Sequence, residues 1–366
     1  MRVAFRTDAS SQIGTGHVMR CLTLADALRE ESVECQFVCR EHEGHLMGYI
    51  RSRGYQLHAL STPQVPDPFV SDLAHASWLD VDWKTDAAQT LQVLGIEELD
   101  WIIVDHYALD HRWESALRSS CKRIMAIDDL ADRQHNCDLL LDQNYGSSVE
   151  RYAGLVPADC MQLHGSEFAL LKPVYAHCRA EQNVRSGKIE RVLIYFGGGA
   201  DPMNLTGMAL SVFQAPELLK IDLDIIVGLG YRHKAELEAA AASRGRTHIH
   251  TQLPDLSELM TRADLAIGAG GATTWERCCL GLPTILVVCA LNQEAIGEAM
   301  RLSGAASVLH PSDNLTDYIR DITIELSTDT EKYFKMSNKA MLINDGLGLT
   351  RVYKEIITMS ERTANG

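Results

Sequence analysis

Basic residues are scarce in this chain of 366 residues: 34 lysines and arginines stand against 49 aspartates and glutamates, a net charge of −15. That balance excludes a broad nucleic-acid surface or an anionic-membrane partner. A phosphate group would have to be held by local dipoles and a few basic side chains. Long apolar runs are missing too. The longest, around Thr284 to Leu291, falls well short of the roughly 20 residues that a membrane helix needs, so no membrane span is expected. The start has only Val3, Ala4 and Phe5 between Arg2 and Arg6 and lacks the apolar core of a secretory signal, so a cytoplasmic protein is expected. The ten cysteines are scattered and often lie inside apolar patterns, which points to free thiols and not to disulfides. A metal-ligand set is also lacking. Cys35, Cys39, His42 and His45 come nearest, yet Cys35, Phe37 and Cys39 alternate like one face of a strand. The Cys278-Cys279 pair lies in a helical pattern and reads as packing.

A hydrophobic fraction of 46% over this length exceeds one ordinary core, and two domains are the first expectation. The N-terminal half has βαβ rhythm: a strand at Arg2–Arg6, a helix over 17–30, a strand at Val33–Arg40, a helix near 43–53 and a strand at Gln56–Leu60. Pro63, Pro66 and Pro68 forbid regular structure after that, so 61–83 reads as a surface loop, and Asp86 reads as the cap of a helix reaching about Leu94. Trp101–Val104, Arg123–Ile127 and Leu139–Leu141 are further buried strands. Periodicity weakens from Gly165 to Lys188, which marks a junction. A strand at Arg191–Phe196 then restarts the rhythm, followed by a glycine turn, with Asp201 as N-cap and Pro202 at the first helical position. Ile221–Gly228, Thr247–Thr251, Asp264–Gly268, Thr284–Val288 and Ala305–Leu309 supply more strands. The expected fold class is α/β, with two Rossmann-type domains over 1–175 and 176–345 whose parallel sheets face a cleft. A last amphipathic stretch, about Thr328 to Ser360, is long enough for its end, 346–366, to pack back on the first domain.

Residues 12–20, Gln-Ile-Gly-Thr-Gly-His-Val-Met-Arg, sit between the first strand and the first helix. Gly14 and Gly16 allow a tight turn and close approach of a ligand, and the helix start offers unpaired N–H groups to an anion. Met19 stands where a dinucleotide fingerprint wants its third glycine, which demotes a dehydrogenase. The three following strands end in Asp105-His106-Tyr107, Asp128-Asp129 and Asp142-Gln143-Asn144-Tyr145. Such tips either line one ligand cleft beyond the strands' carboxyl ends or cap the next helices. In the second half a strand runs into Gly270-Gly271, and a helix opens at Thr273-Thr274 with Glu276 in its first turn. The hydroxyls and N–H groups there suit a diphosphate, and Glu276 suits a ribose diol or simply a helix start.

Gly270, Gly271, Thr273, Thr274, Glu276 and Gly281-Leu282-Pro283 resemble the nucleotide-binding half of two-domain nucleotide-sugar enzymes of the GT-B fold, with the MurG glycosyltransferase among them. That resemblance implies that Gly271 to Thr274 meet the diphosphate, Glu276 the ribose, and backbone near Leu253 the uracil. The first half is more specific. Arg6-Thr-Asp8, Gln12-Ile-Gly14-x-Gly16-His17-x-x-Arg20, Val104-Asp-x-Tyr107, Ile127-Asp-Asp-Leu-Ala, Asp142-Gln-Asn144-Tyr and Gly198-Gly-x-Asp-Pro resemble, in order, the UDP-2,4-diacetamido-2,4,6-trideoxy-β-L-altropyranose hydrolase family of pseudaminic acid biosynthesis, which serves flagellin or surface glycan modification. The resemblance implies cleavage of a UDP-sugar by water at the anomeric carbon with inversion, without a metal or other cofactor. It makes His17 the general base and gives Tyr107 and Asn292 the orientation of the attacking water. Gln293, Asn144, Asn204, Gly14, Gly16 and Gly198 are then substrate contacts. A helix N-terminus would keep the His17 ring neutral. The partner implied is the UDP-sugar alone, with no nucleic acid and with a monomer favoured. A MurG-like glycosyltransferase would use the same UDP groups, but the basic, apolar membrane-docking patch usual in lipid-carrier transferases is missing. A non-catalytic UDP-sugar-binding module is opposed by the joint presence of His17, Tyr107 and Asn292.

Overall fold

The computed structural model describes the chain except for residues 64–71, 96–98, 183, 200, 229, 252, 313 and 365–366. It forms two compact units, Met1–Leu170 with Gly348–Gly366, and Leu171–Leu347.

The first unit carries strands β1 (Arg2–Thr7), β2 (Glu34–Arg40), β3 (Gln56–Leu60), β4 (Leu99–Asp105), β5 (Cys121–Ile127), β6 (Leu139–Asp142) and β7 (Met161–His164), with helices α1 (Gly16–Glu30), α2 (Met47–Ser52), α3 (Trp83–Leu94) and α4 (His111–Leu117). The strands form one sheet in the order β3-β2-β1-β4-β5-β6-β7, and each pair is parallel. Trp101 to Val104 in β4 are all buried, as expected of a strand covered on both faces. The order reverses between β1 and β4, and ligands of such sheets bind beyond the carboxyl ends of strands at that point. β7 was not foreseen. Of its four residues only Leu163 is buried, so it carries no apolar run.

Asp86 does not cap α3. The N-cap is Asp82, whose carboxylate accepts the Thr85 N–H at 2.8 Å. Asp86 lies a turn further on with no solvent exposure and accepts from Arg6 at 2.7 and 3.0 Å, from Arg40 at 2.7 Å and from the Trp113 indole at 3.0 Å. Two buried guanidiniums need a counter-charge more than the helix start needs a cap. Part of the expected 61–83 loop, 64–71, lies outside the described residues; further on, Ala76–Leu79 form a 3₁₀ turn.

The second unit carries α5 (Pro173–Glu181), β8 (Arg191–Tyr195), α6 (Leu205–Val212), β9 (Asp222–Ile226), α7 (Lys234–Arg244), β10 (Thr247–His250), α8 (Ser257–Arg262), β11 (Leu265–Ala269), α9 (Thr273–Cys279), β12 (Thr284–Val287), α10 (Glu294–Ser303), β13 (Ala306–Leu309), α11 (Leu315–Thr328) and α12 (Thr330–Ile343). Its parallel sheet runs β10-β9-β8-β11-β12-β13, so the reversal falls between β8 and β11. Asp201 and Pro202 stand before α6, not in it. The cap is Asn204, while the Asp201 carboxylate reaches the N–H groups of Leu205 and Thr206, each at 2.9 Å.

The amphipathic stretch from Thr328 to Ser360 is two helices. α12 ends at Ile343, Gly346 turns with φ +81°, and α13 (Gly348–Ala364) belongs to the first unit. Leu349, Val352, Ile356 and Met359 enter the core that holds Val18, Leu22 and Trp101, and the Trp101 indole donates to Ser360 Oγ at 2.8 Å. A Cβ on Gly348 would lie 2.4 Å from the Ala169 carbonyl oxygen, so only glycine fits there. Ile356 is fully buried, and Ile356→Ala is expected to destabilise the chain by about 2–5 kcal/mol. Urea unfolding measures this; an unchanged midpoint would contradict the packing of α13.

Candidate active site

In the first unit the carboxyl ends of β1, β4, β5 and β6 bring together the polar side chains of His17, Arg20, Asp105, Tyr107, Asp129 and Asn144. His17 is the second residue of α1, whose N-cap, Thr15, makes no side-chain cap bond. Asp105 ends β4 with no solvent exposure. Its Oδ1 lies 2.6 Å from His17 Nδ1, and Arg20, one turn along α1, donates from Nε to Oδ2 and from Nη2 to Oδ1, both at 2.6 Å. Burial disfavours the Asp105 charge, but Arg20 and His17 outweigh it and hold the carboxyl well below the usual range. An ionised carboxylate only accepts, so a 2.6 Å contact requires the proton on Nδ1 and leaves Nε2 as the acceptor. The tautomer of His17 is thus set by Asp105, a partner that the helix-start reasoning did not include. Asp105 caps no helix.

The remaining Arg20 nitrogen, Nη1, donates to Asp129 Oδ2 at 2.9 Å, and Asp129 Oδ1 accepts a short bond from the Tyr107 hydroxyl. Burial first, then Asp129, push the Tyr107 hydroxyl well above its ordinary value. The Tyr107 and His17 ring centroids are 4.6 Å apart at 84°. Trp78 and His75 complete an aromatic group, with Trp78 5.5 Å from Tyr107 and 6.2 Å from His17. Asn144 joins from the end of β6, its Nδ2 donating to the Asp129 carbonyl at 2.8 Å while its buried Oδ1 has no partner among the described residues. Gly14 turns with φ +80° and donates to the Ser10 carbonyl at 2.8 Å; Gly16 opens α1. Asp128 is structural, taking Tyr152 Oη at 2.8 Å and Arg133 at 2.8 Å.

In the second unit the equivalent strand ends carry glycine turns. Gly198 follows β8, and its carbonyl would lie 2.1 Å from a Cβ on Gly228. Gly270 and Gly271 follow β11 and lead into α9. Thr273 is half-buried, but Thr274 is buried and its Oγ1 takes Arg277 Nη2 at 3.1 Å, so the two hydroxyls are not equivalent. Gln293 Oε1 accepts from Gly270 N at 3.3 Å and Cys289 N at 2.9 Å, which commits its oxygen to backbone and leaves its amide nitrogen. Asn292 adjoins it, half-buried. Asn204 is tied to its own helix and to Tyr231 Oη at 2.6 Å, beside a cavity of about 190 Å³. Leu253 precedes α8, where Leu256 N donates to Tyr175 Oη at 3.3 Å. Among the described residues no group of three or more His, Cys, Asp or Glu is placed to hold a metal ion, and no helix is long and apolar enough to cross a membrane.

Sequence reasoning gave Arg20 no role and left Asp105 and Asp129 as strand-tip acids that either line a cleft or cap a helix. All three lie inside the motif stretches, but only side-chain geometry shows which acid meets which base. Burial pushes the Glu276 carboxyl from 4.5 up to about 7 against the pull of Tyr175, Arg277 and Lys172, and its Oε2 has no hydrogen-bond partner among the described residues. Between about 4.5 and 7 the folded chain therefore holds more protons at this group than the unfolded chain, and the stability it contributes is lost as pH rises through that window. Relative to Glu276→Gln, the wild type is expected to lose stability on going from pH 4.5 to 7. Urea midpoints of the two proteins across that range check the sign, and a constant difference would refute it.

The family model for the glycosyltransferase family 28 C-terminal domain matches residues 192–341, inside the second unit. The UDP-2,4-diacetamido-2,4,6-trideoxy-β-L-altropyranose hydrolase of Campylobacter jejuni subsp. jejuni is 28% identical over 222 residues, 60% of this chain and 69% of that protein. Uncharacterized protein MJ1062 of Methanocaldococcus jannaschii is 23% identical over 298 residues, 78% of this chain; the match spans only 55% of that relative. Among solved structures, Acinetobacter baumannii MurG superposes with a TM-score of 0.62 at 14% identity, covering 98% of this chain and 99% of that one, which speaks to fold alone. With two parallel sheets that each reverse order after the first strand, these similarities make the chain a GT-B protein akin to the UDP-2,4-diacetamido-2,4,6-trideoxy-β-L-altropyranose hydrolase.

Proposed function

We propose that the chain is an enzyme that hydrolyses a UDP-linked 2,4-diacetamido-2,4,6-trideoxy hexose of the altropyranose type, a step of pseudaminic acid biosynthesis. Water attacks the anomeric carbon, the bond from that carbon to the UDP oxygen breaks, and its electron pair leaves with UDP. Attack opposite the leaving group inverts the centre. His17 Nε2 takes the proton from the water. The observation that carries this reading is the 2.6 Å contact between His17 Nδ1 and the buried Asp105, which leaves Nε2 as a lone-pair acceptor. Tyr107, edge-on to the same ring, and Asn292 orient the water.

UDP is the charge acceptor, so its stabilisation as the bond lengthens is the larger share of catalysis. The backbone N–H of Gly271 and the start of α9 are suited to the diphosphate, with Gly270 leading the chain into that turn and Thr273 the better placed hydroxyl. The buried, unpartnered oxygen of Glu276 suits the ribose diol, and a carboxylate there gains its missing partners on binding. Leu253 backbone would meet the uracil, Gln293 through its amide nitrogen the sugar hydroxyls, and Gly14, Gly16, Asn144, Gly198 and Asn204 are further contacts.

A UDP-sugar glycosyltransferase is the second reading, favoured by the family 28 domain match and the MurG-like fold. It differs only in replacing water by an acceptor hydroxyl. Purified protein is expected to release UDP from the UDP-sugar with no acceptor and in the presence of EDTA; transfer to an added acceptor without such release would overturn hydrolysis. His17→Asn is expected to lower turnover by roughly 10²–10⁴-fold while UDP still binds, and undiminished turnover would remove His17 from the mechanism.

A further inference from the structure

We propose that Asp129 is a positioning residue that takes the only hydroxyl proton of Tyr107, so that Tyr107 and His17 both turn lone pairs to the attacking water and together fix its two hydrogens. This rests on the hydrolase reading.

A phenol has one proton and two lone pairs, and a carboxylate can only accept. Asp129 Oδ1 receives the Tyr107 hydroxyl, so that proton is committed. Asp105 commits the Nδ1 proton of His17 in the same way. The two rings meet edge to face with centroids 4.6 Å apart, and each is left with an acceptor. A water molecule held by both must donate both hydrogens, one to Nε2 and one to Tyr107 Oη. Of its two lone pairs, one can accept from the Asn292 amide and the other is left to attack the anomeric carbon. The hydrogen donated to Nε2 is the one transferred.

The polarity is held from below by a single planar group. Arg20 donates from Nε and Nη2 to Asp105 and from Nη1 to Asp129, so one guanidinium sets both carboxylates. The backbone at 129 is fixed as well, since its carbonyl accepts from Asn144 Nδ2 and Arg151 Nη2, each at 2.8 Å. Burial and the Asp129 charge both keep Tyr107 a phenol, so a phenolate does not form to supply the acceptor instead.

Asp129→Asn inverts the arrangement. Arg20 can only donate, so the new amide must turn its oxygen to Arg20 and its NH₂ to Tyr107 Oη, which pushes the hydroxyl proton towards the water. The expected result is a fall in kcat for UDP release of roughly 10²-fold, with KM and the Kd for UDP within about twofold of wild type. Tyr107→Phe is expected to show a similar fall, and the double variant no more than the larger single one, because both remove the same acceptor. Wild-type kcat in Asp129→Asn, or losses that multiply in the double variant, would overturn the assignment. Asp129→Glu keeps an acceptor-only group and provides the test if the amide variant does not fold. It is expected to stay within about tenfold of wild type, and a loss matching Tyr107→Phe would overturn the assignment. A wild type that releases no UDP defeats the hydrolase reading itself, whereas an active wild type with an unaffected Asp129→Asn defeats this inference alone.

Discussion

A carboxylate with no access to water cannot keep its charge unless the protein replaces its hydration. Asp105 is in that position at the end of β4, and Arg20, His17 and Cys21 surround it. The demand it makes reaches far. Arg20 and His17 are three residues apart on α1, so satisfying Asp105 with both fixes the rotation of that helix over the sheet. The same guanidinium then extends to Asp129, and through it to Tyr107 and the backbone that holds Asn144. Position, tautomer and hydroxyl direction in the candidate site are consequences of neutralising one buried group.

Buried arginine is the chain's general answer to its acidic composition. Arg6 and Arg40 share Asp86, and through it β1 and β2 are bound to α3 and α4. Arg277 in the second unit is different. It donates to the Ala269 carbonyl and Thr274 Oγ1 and has no carboxylate among these partners, so burial brings its guanidinium down to about 10. Of the two switch points, the one in the first unit is dense with compensated charge. The one in the second unit is built from glycine backbone, with Glu276 beside it still short of a partner. The first arrangement suits proton transfer and the second suits taking up a ligand that brings its own hydrogen-bonding groups.

Strands such as β4, β6 and β12 were legible because continuous apolar runs admit few alternatives, and the glycine turns before α1 and α9 were legible because helices follow them at once. Helix starts were harder. Asp82 and Asp86, or Asp201 and Asn204, are chemically interchangeable candidates, and the choice is made by arginines distant in sequence or by backbone dihedrals that composition does not encode. β7, half polar and four residues long, had no periodicity to read. In the site, His17 and Tyr107 stood out beside glycine and at a strand tip. Arg20 and Asp129 did not, because an acid or a base gains meaning only from what it faces, and their partners lie 85 and 109 residues away.

The division of the first unit around the second has a consequence for synthesis. Its core includes Val352 and Ile356 from α13, which is made only after residues 171–347 have been synthesised. The second unit is complete in one stretch and can close as it emerges, while the first must wait with an apolar groove open on α1. A chain cut short at residue 347 therefore carries one complete unit and one that lacks α13, a state that chaperones and proteases are equipped to notice.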